Sequence, residues 1–301
     1  MDIDSLGGNG LMTTGTGLRT AETVRLRDGR RLGFAEVGDL AGKPILFFHG
    51  GGDSRLTRHP DDAYTASLGI RLITVDRPGV GLSDFQPRRR LLDWPDDVVQ
   101  LAGSLSIERF AVLGWSMGGP HALVCASAIP DRLLWAGVVS GLAPLAEPGM
   151  LAGMTPFYRR LFGMARRSHR VVQVPLALKN RYARRNPAAY MDGMFVGAPE
   201  NDRAIYALPG VRDNKSAGFA EVVRAGSRGL SLEMTMVALP WGFRLEDIAI
   251  PVRLWYGSQD LTTPLFMARF FEEHIPQTIL TVFEGDGHQM IYQRWREILT
   301  S

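Results

Sequence analysis

The sequence predicts an α/β protein built on a mostly parallel sheet with helices on both faces. Three observations predict it. Short apolar runs that lack polar alternation mark strands buried on both faces. Stretches of helical period separate those runs, as in βα repeats. The rhythm breaks once, from about Gly141 to Arg244, and then resumes, which predicts an insertion into one sheet domain.

In order along the chain, residues 1–20 are rich in Gly, Thr and Ser and carry no apolar period, so they read as a disordered tail. Val24–Arg27 and Arg31–Val37 flank Asp28-Gly29, a hairpin signal. Pro44–Phe48 is an apolar run ending in His49-Gly50-Gly51-Gly52, and Leu72–Val75 is another ending in Asp76. A helix is expected from about Asp93, with Asp93 as its N-cap, Pro95 in the first turn, and Val98, Leu101, Ala102 and Leu105 on one face. Phe110–Leu113 reads as a strand running into Gly114-Trp115-Ser116-Met117-Gly118-Gly119, followed by helix to about Ala128 and the strand Leu134–Val139. After the break come Val252–Tyr256, a helix capped by Thr263 with Pro264 at its first position, and the strand Ile279–Phe283. A terminal helix around Ile291, Trp295 and Leu299 closes the order.

The composition is that of a globular chain: 301 residues, 45% hydrophobic and 22% charged, which is enough to bury a core without staples. A single cysteine excludes an intrachain disulfide and a multi-cysteine metal site. No apolar run reaches the roughly 18 residues of a membrane span, and the acidic, Gly-rich start lacks the basic and apolar segments of a secretory signal. A cytoplasmic protein is expected. The net charge of +3 does not predict a nucleic-acid face. It is a cancellation, because residues 142–245 hold 15 Lys and Arg against 7 Asp and Glu, and the remainder 19 against 24. The arginine excess reads as a solvated helix face.

Gly114-Trp115-Ser116-Met117-Gly118 is a G-x-S-x-G match in the context that motif needs, after an apolar strand and before a helix. A chain turning that sharply presses the residues two before and two after the serine together. Neither can carry a bulky side chain, and the serine is held strained and exposed. Ser116 is therefore the candidate nucleophile.

With this motif the sequence resembles the α/β-hydrolases, in the branch with an inserted cap. The resemblance covers about residues 21–300. Besides the elbow it rests on His49–Gly52, on Asp76-Arg77-Pro78-Gly79-Val80-Gly81-Leu82-Ser83, on Gly257-Ser258-Gln259-Asp260 and on Gly287-His288, in the family's order. It implies an eight-stranded, mostly parallel sheet. The implied organisation is a core of 21–141 and 246–301, interrupted by a helical cap at 142–245.

A serine hydroxyl needs a base. Of six histidines, His288 lies in a Gly-rich loop after the last strand and is the candidate. His49 reads as shaping the neighbouring loop, His121 as packing, and His59, His169 and His274 as surface residues. Asp260, at the end of Val252–Tyr256, is the candidate acid that orients the imidazole, and Ser116, Asp260, His288 is the chain order of this fold. Asp286 is nearer in sequence but badly placed to hold the ring from behind. The stretch after the preceding strand, where some members carry the acid, offers no carboxylate until Glu147. The resemblance implies oxyanion donors in the backbone N–H groups of Gly51 and Met117. Asp76 and Ser83 read as hydrogen-bond partners that fix their loop, Cys125 as a small buried apolar residue, and Trp115 as packing under the site. The cap's many Met and aromatic residues suggest an apolar pocket, although most of them read as the cap's own core.

The expectation is a serine hydrolase that cleaves a carboxylic ester of a small to medium apolar substrate through an acyl-enzyme. No cofactor or metal is expected, nor a nucleic-acid or membrane partner, and the chain is expected as a monomer or homodimer. Amide or carbon–carbon bond hydrolysis by the same triad is the first alternative. A low-turnover ligand-binding protein on the same fold is the second, and a membrane-surface lipase that uses the basic insertion on anionic lipid is the third.

Overall fold

Eight strands form one sheet in the order β1-β2-β4-β3-β5-β6-β7-β8 in the computed structural model, which describes residues 19–301. β1 (Arg19–Arg25) and β2 (Arg31–Gly38) form the hairpin, and Gly29 supplies the positive φ, +88°, that its turn needs. β2 is also antiparallel to β4 (Ile70–Val75). The remaining pairings are parallel: β3 (Lys43–Phe48) with β4 and with β5 (Phe110–Trp115), then β6 (Leu133–Val139), β7 (Val252–Gly257) and β8 (Thr278–Phe283). Parallel neighbours require crossovers. α1 (Asp62–Ser67), α2 (Trp94–Ser104) and α3 (Gly119–Ala128) supply the first three.

Side chains of the central strands alternate between two cores. Leu46, Phe48 and Val112 face one; Ile45, Phe47, Leu113 and Trp115 face the other. Burial on both faces is why these runs carry no polar alternation.

Between β6 and β7 the described chain is helical: α4 (Pro156–Arg167), α5 (His169–Ala183), α6 (Pro187–Phe195), α7 (Glu200–Tyr206), α8 (Val211–Ala225) and α9 (Arg228–Ala238). Phe162, Val172, Met234 and Val237 of these helices join the first sheet core, so the insertion shares apolar surface with the sheet. Met191, Tyr206, Phe219 and Val223 form a small core of their own. α10 (Leu265–His274) and α11 (Trp295–Thr300) complete the fold. No helix of the described residues is long and apolar enough to cross a membrane.

Four local expectations are corrected. Most of the expected tail lies outside the described residues, but Arg19 and Thr20 already belong to β1. Leu134 lies in β6 yet is exposed, and Leu133 is buried instead. Asp93 is the N-cap residue of α2 as expected, but its side chain does not cap the helix. Its carboxylate accepts from the Arg90 N–H at 2.7 Å and closes the preceding 3-10 turn. Thr263 does not cap α10, whose N-cap is Pro264; its hydroxyl turns to Asp260. The sequence reading also lacks α1. Six residues are too few for a helical period to stand out, although Asp61 caps it by accepting from Tyr64 N–H at 2.9 Å.

Candidate active site

β5 ends at Trp115, and Ser116 follows at φ +55°, a left-handed conformation that a non-glycine residue holds at a cost of about 1–3 kcal/mol. Its neighbours leave no alternative. A Cβ on Gly114 would overlap the Gly118 carbonyl, and one on Gly118 would overlap the Phe48 carbonyl of β3. One on Gly119 would come within 3.0 Å of Gly141, so α3 lies hard against the loop after β6. The Ser116 carbonyl accepts from Leu142 N–H at 3.2 Å, which ties the elbow to the same loop. The sharp turn expected from the motif is thus fixed by backbone packing on three sides.

Asp260 leaves the end of β7 and is held from both sides. Its Oδ1 accepts from the N–H groups of Thr262 and Thr263, each at 2.8 Å. Its Oδ2 lies 2.7 Å from Thr263 Oγ1 and 2.7 Å from His288 Nδ1. Burial opposes ionisation of Asp260, but the imidazole's charge and hydrogen bond, with the Thr263 donors, outweigh it and hold the carboxyl below its ordinary range. The partner effect raises His288 above its ordinary 6.5: burial disfavours the imidazolium, and the charges of Asp260 and then Asp202 more than compensate. With Nδ1–H directed at Asp260, Nε2 is left as the acceptor. Asp286 points elsewhere and pairs with Arg294 Nε at 2.8 Å.

The structure therefore joins His288 to Asp260 directly. Ser116 sits at the end of β5, two strands from β7, and is tied to His288 through Trp115. That indole donates to the His288 carbonyl at 3.2 Å, with the rings 5.7 Å apart. Among the described residues no direct hydrogen bond links Ser116 to His288.

The Gly50–Gly52 loop lies against the elbow. A Cβ on Gly50 would stand 3.4 Å from Ser116 Cβ, and one on Gly51 would strike the Met117 sulfur, so the loop packs on the Met117 side chain. The loop is braced by a residue that sequence reasoning passed over. Arg77, fully buried, donates to the carbonyls of His49 and, at 3.2 Å, Gly50, and pairs with Glu233 of α9. His121 Nδ1 lies 3.0 Å from the Met117 carbonyl, and its Nε2 is 3.8 Å from the same Glu233. Burial, then nearby arginines, holds His121 well below the ordinary imidazole range, so the ring is neutral and its Nδ1–H donates to Met117. His49 is likewise neutral through burial and the Arg77 charge, with Nδ1 2.9 Å from the Gly50 carbonyl. One buried carboxylate from the insertion thus faces the supports of both candidate donors.

Asp76 and Ser83 do fix their loop. Asp76 accepts from the N–H groups of Arg55 and Leu82, and Ser83 Oγ donates to the Asp76 carbonyl at 2.6 Å. Cys125 is fully buried, which pushes its thiol well up and leaves it inert. His59, His169 and His274 are each partly exposed, and His59 stacks on Trp295.

Two more side chains of the insertion reach the site. Lys215 of α8 pairs with the buried Asp53 at 2.8 Å and sits 4.5 Å over the Trp115 ring. Asp202 of α7 accepts from Gln289 N–H at 2.8 Å, and burial raises its carboxyl. Neither belongs to a motif, and nothing in a lone charged residue on a helix signals burial in advance. Among the described residues no three His, Cys, Asp or Glu side chains gather to hold a metal. A cavity of about 390 Å³ lies beside α4, lined by Glu147, Arg159 and Arg166 among others, and does not border Ser116.

The chain is similar to known proteins along most of its length. The chain is 27% identical over 272 residues to an uncharacterized Mycobacterium tuberculosis protein, covering 86% of this chain and 73% of that one. It is 25% identical over 267 residues to a proline iminopeptidase of Clostridium botulinum, covering 84% and 86%. It is 26% identical over 223 residues to a pimeloyl-[acyl-carrier protein] methyl ester esterase of Nitrosomonas europaea, covering 73% and 78%. Among solved structures, a thermophilic esterase from Thermogutta terrifontis superposes with a TM-score of 0.66 at 20% identity, covering 93% of this chain and 97% of that one. The family model described as alpha/beta hydrolase fold matches residues 43–294, and the chain belongs to that family.

Proposed function

We propose that the protein is a serine hydrolase acting on carboxylic esters, with Ser116 as nucleophile, His288 as base and Asp260 as the acid that orients it. The observation that carries this reading is the buried 2.7 Å contact between His288 Nδ1 and Asp260 Oδ2, set beside a serine strained at φ +55°. Asp260 fixes the tautomer in which Nε2 accepts the Ser116 proton as Oγ attacks the ester carbonyl. The N–H groups of Gly51 and Met117 receive the oxyanion, a contribution worth about 100- to 1,000-fold in turnover per donor. His288 then gives its proton to the leaving alcohol. Water, deprotonated by the same imidazole, releases the acid and frees Ser116. Arg77 and His121 hold the two donor-bearing segments, and α4–α9 serve as the cap that limits access to the serine.

The esterase among the relatives supports the ester reading. The iminopeptidase among them favours a second reading, amide hydrolysis by the same residues. Turnover of p-nitrophenyl acetate and butyrate, against prolyl p-nitroanilide, decides between them. Faster ester turnover, lost by at least about 10⁴-fold in Ser116→Ala, is expected. Turnover that survives the substitution would remove Ser116 from the chemistry, and no turnover on either class would favour a binding protein.

A further inference from the structure

Between Glu147 and Asp192 the chain carries nine lysines and arginines and no carboxylate. α4 and α5 occupy most of this stretch. α5 buries Val172, Leu176, Asn180 and Ala183 on one side. Its outer side is apolar as well: Val171, Val174, Leu178 and Tyr182 are 44%, 62%, 66% and 73% exposed. Spacings of three, four and four residues place these four on a single stripe along the helix. Arg170 and Arg181 are three helical turns apart and flank the stripe on one side. The eight arginines of the stretch are all exposed, and none forms an ion pair among the described residues. The ninth cation, Lys179, is turned inward over the Phe219 ring at 5.0 Å and takes no part in the outer face.

An exposed apolar stripe bordered by unpaired arginines is the pattern of a helix that lies in a membrane interface, apolar side chains among the acyl chains and guanidinium groups at the lipid phosphates. Charge decides against a second copy as the occupant. A two-fold contact through α5 would set the same arginines of both copies against each other with no carboxylate to separate them. We propose that α5, flanked by the arginines of residues 159–185, docks the protein on an anionic lipid surface. The basic charge of the insertion alone raises the anionic-lipid alternative; the exposed apolar stripe, a property of the packed helix, is what favours it. Docking is independent of the chemistry at Ser116.

The test is sedimentation of the full chain with vesicles of phosphatidylcholine alone or with one third phosphatidylglycerol. Binding to the anionic vesicles, weak or absent on the neutral ones and reduced by salt, is expected. Neutralising Arg170 or Arg181 (Arg→Gln) should weaken partitioning about fivefold each, and Leu178→Gln about tenfold. All three positions are exposed, and an unchanged circular dichroism spectrum confirms that the fold is retained. Three results would overturn the proposal. One is no binding to anionic vesicles at low salt. Another is loss of binding with the arginines but indifference to Leu178→Gln, which describes a general polyanion surface. The third is a concentration-dependent dimer that Leu178→Gln dissolves, in a chain that ignores vesicles, which assigns the stripe to a second copy.

Discussion

The strand-end loops and the inserted helices contribute to one site under opposite constraints. Ser116, Asp260 and His288 stand on loops whose backbones are pressed against neighbouring strands, so each loop needs glycine at fixed places: 114 and 118 around the serine, and 257 where a Cβ would strike the Asp286 carbonyl. The inserted helices meet the same site through charged side chains, Glu233, Lys215 and Asp202, that any helix position could present. In the proposed function, rigid backbone places the reacting groups, and reaching side chains tune and brace them. Substitutions in the first set should abolish chemistry, and those in the second should alter its rate or its pH range.

The steepest expected effect after loss of Ser116 itself is Asp260→Asn. It removes the charge that fixes the His288 tautomer and stabilises the imidazolium, and should lower kcat for ester substrates by about 10⁴-fold while KM changes little. A loss under about tenfold would mean that another carboxylate can orient the ring. Glu233→Gln should be intermediate. It leaves Arg77 buried without its counter-charge and loosens the Gly50–Gly51 loop, so kcat should fall about 10- to 100-fold with KM nearly unchanged. The same substitution should cost about 3–5 kcal/mol of stability by denaturant melting. A stability loss with kcat intact would make the pair purely structural.

The mildest effect is on pH dependence. With His288 as the proposed base its neutral form is the active one, so kcat/KM should rise with pH through its pKa, which lies above the ordinary 6.5 because of Asp260 and Asp202. Asp202→Asn removes one of these charges and keeps the carbonyl that accepts from Gln289. The acid limb should therefore move to lower pH with little change in the plateau. A limb that stays in place would show that Asp202 does not act on the imidazole.

The same contrast governs how much was legible in the sequence. Close packing leaves glycine as its trace, against backbone at Gly114 and Gly118 and against side chains at Gly50, Gly51 and Gly287, so these motifs mark their loops, and the apolar runs mark the central strands. The Arg77–Glu233 pair, 156 residues apart, left no such trace, because a buried arginine and a solvated one read alike. Thr263 was visible but misread, since Thr before Pro suggests a helix cap, and here its hydroxyl is taken by Asp260. Expecting Met and aromatic residues of the insertion to form its own core agrees with Met191, but Met154 and Phe162 join the sheet core instead, and Phe157 and Met194 are exposed. That exposure is decided by which side of each helix packs on the sheet.

The most direct test of the central claim is mass spectrometry of the full chain after treatment with a fluorophosphonate, which labels only a serine activated by a neighbouring base. One adduct per chain, on Ser116 and lost in His288→Ala, is predicted. An unlabelled Ser116, or labelling that persists without His288, would contradict the assignment.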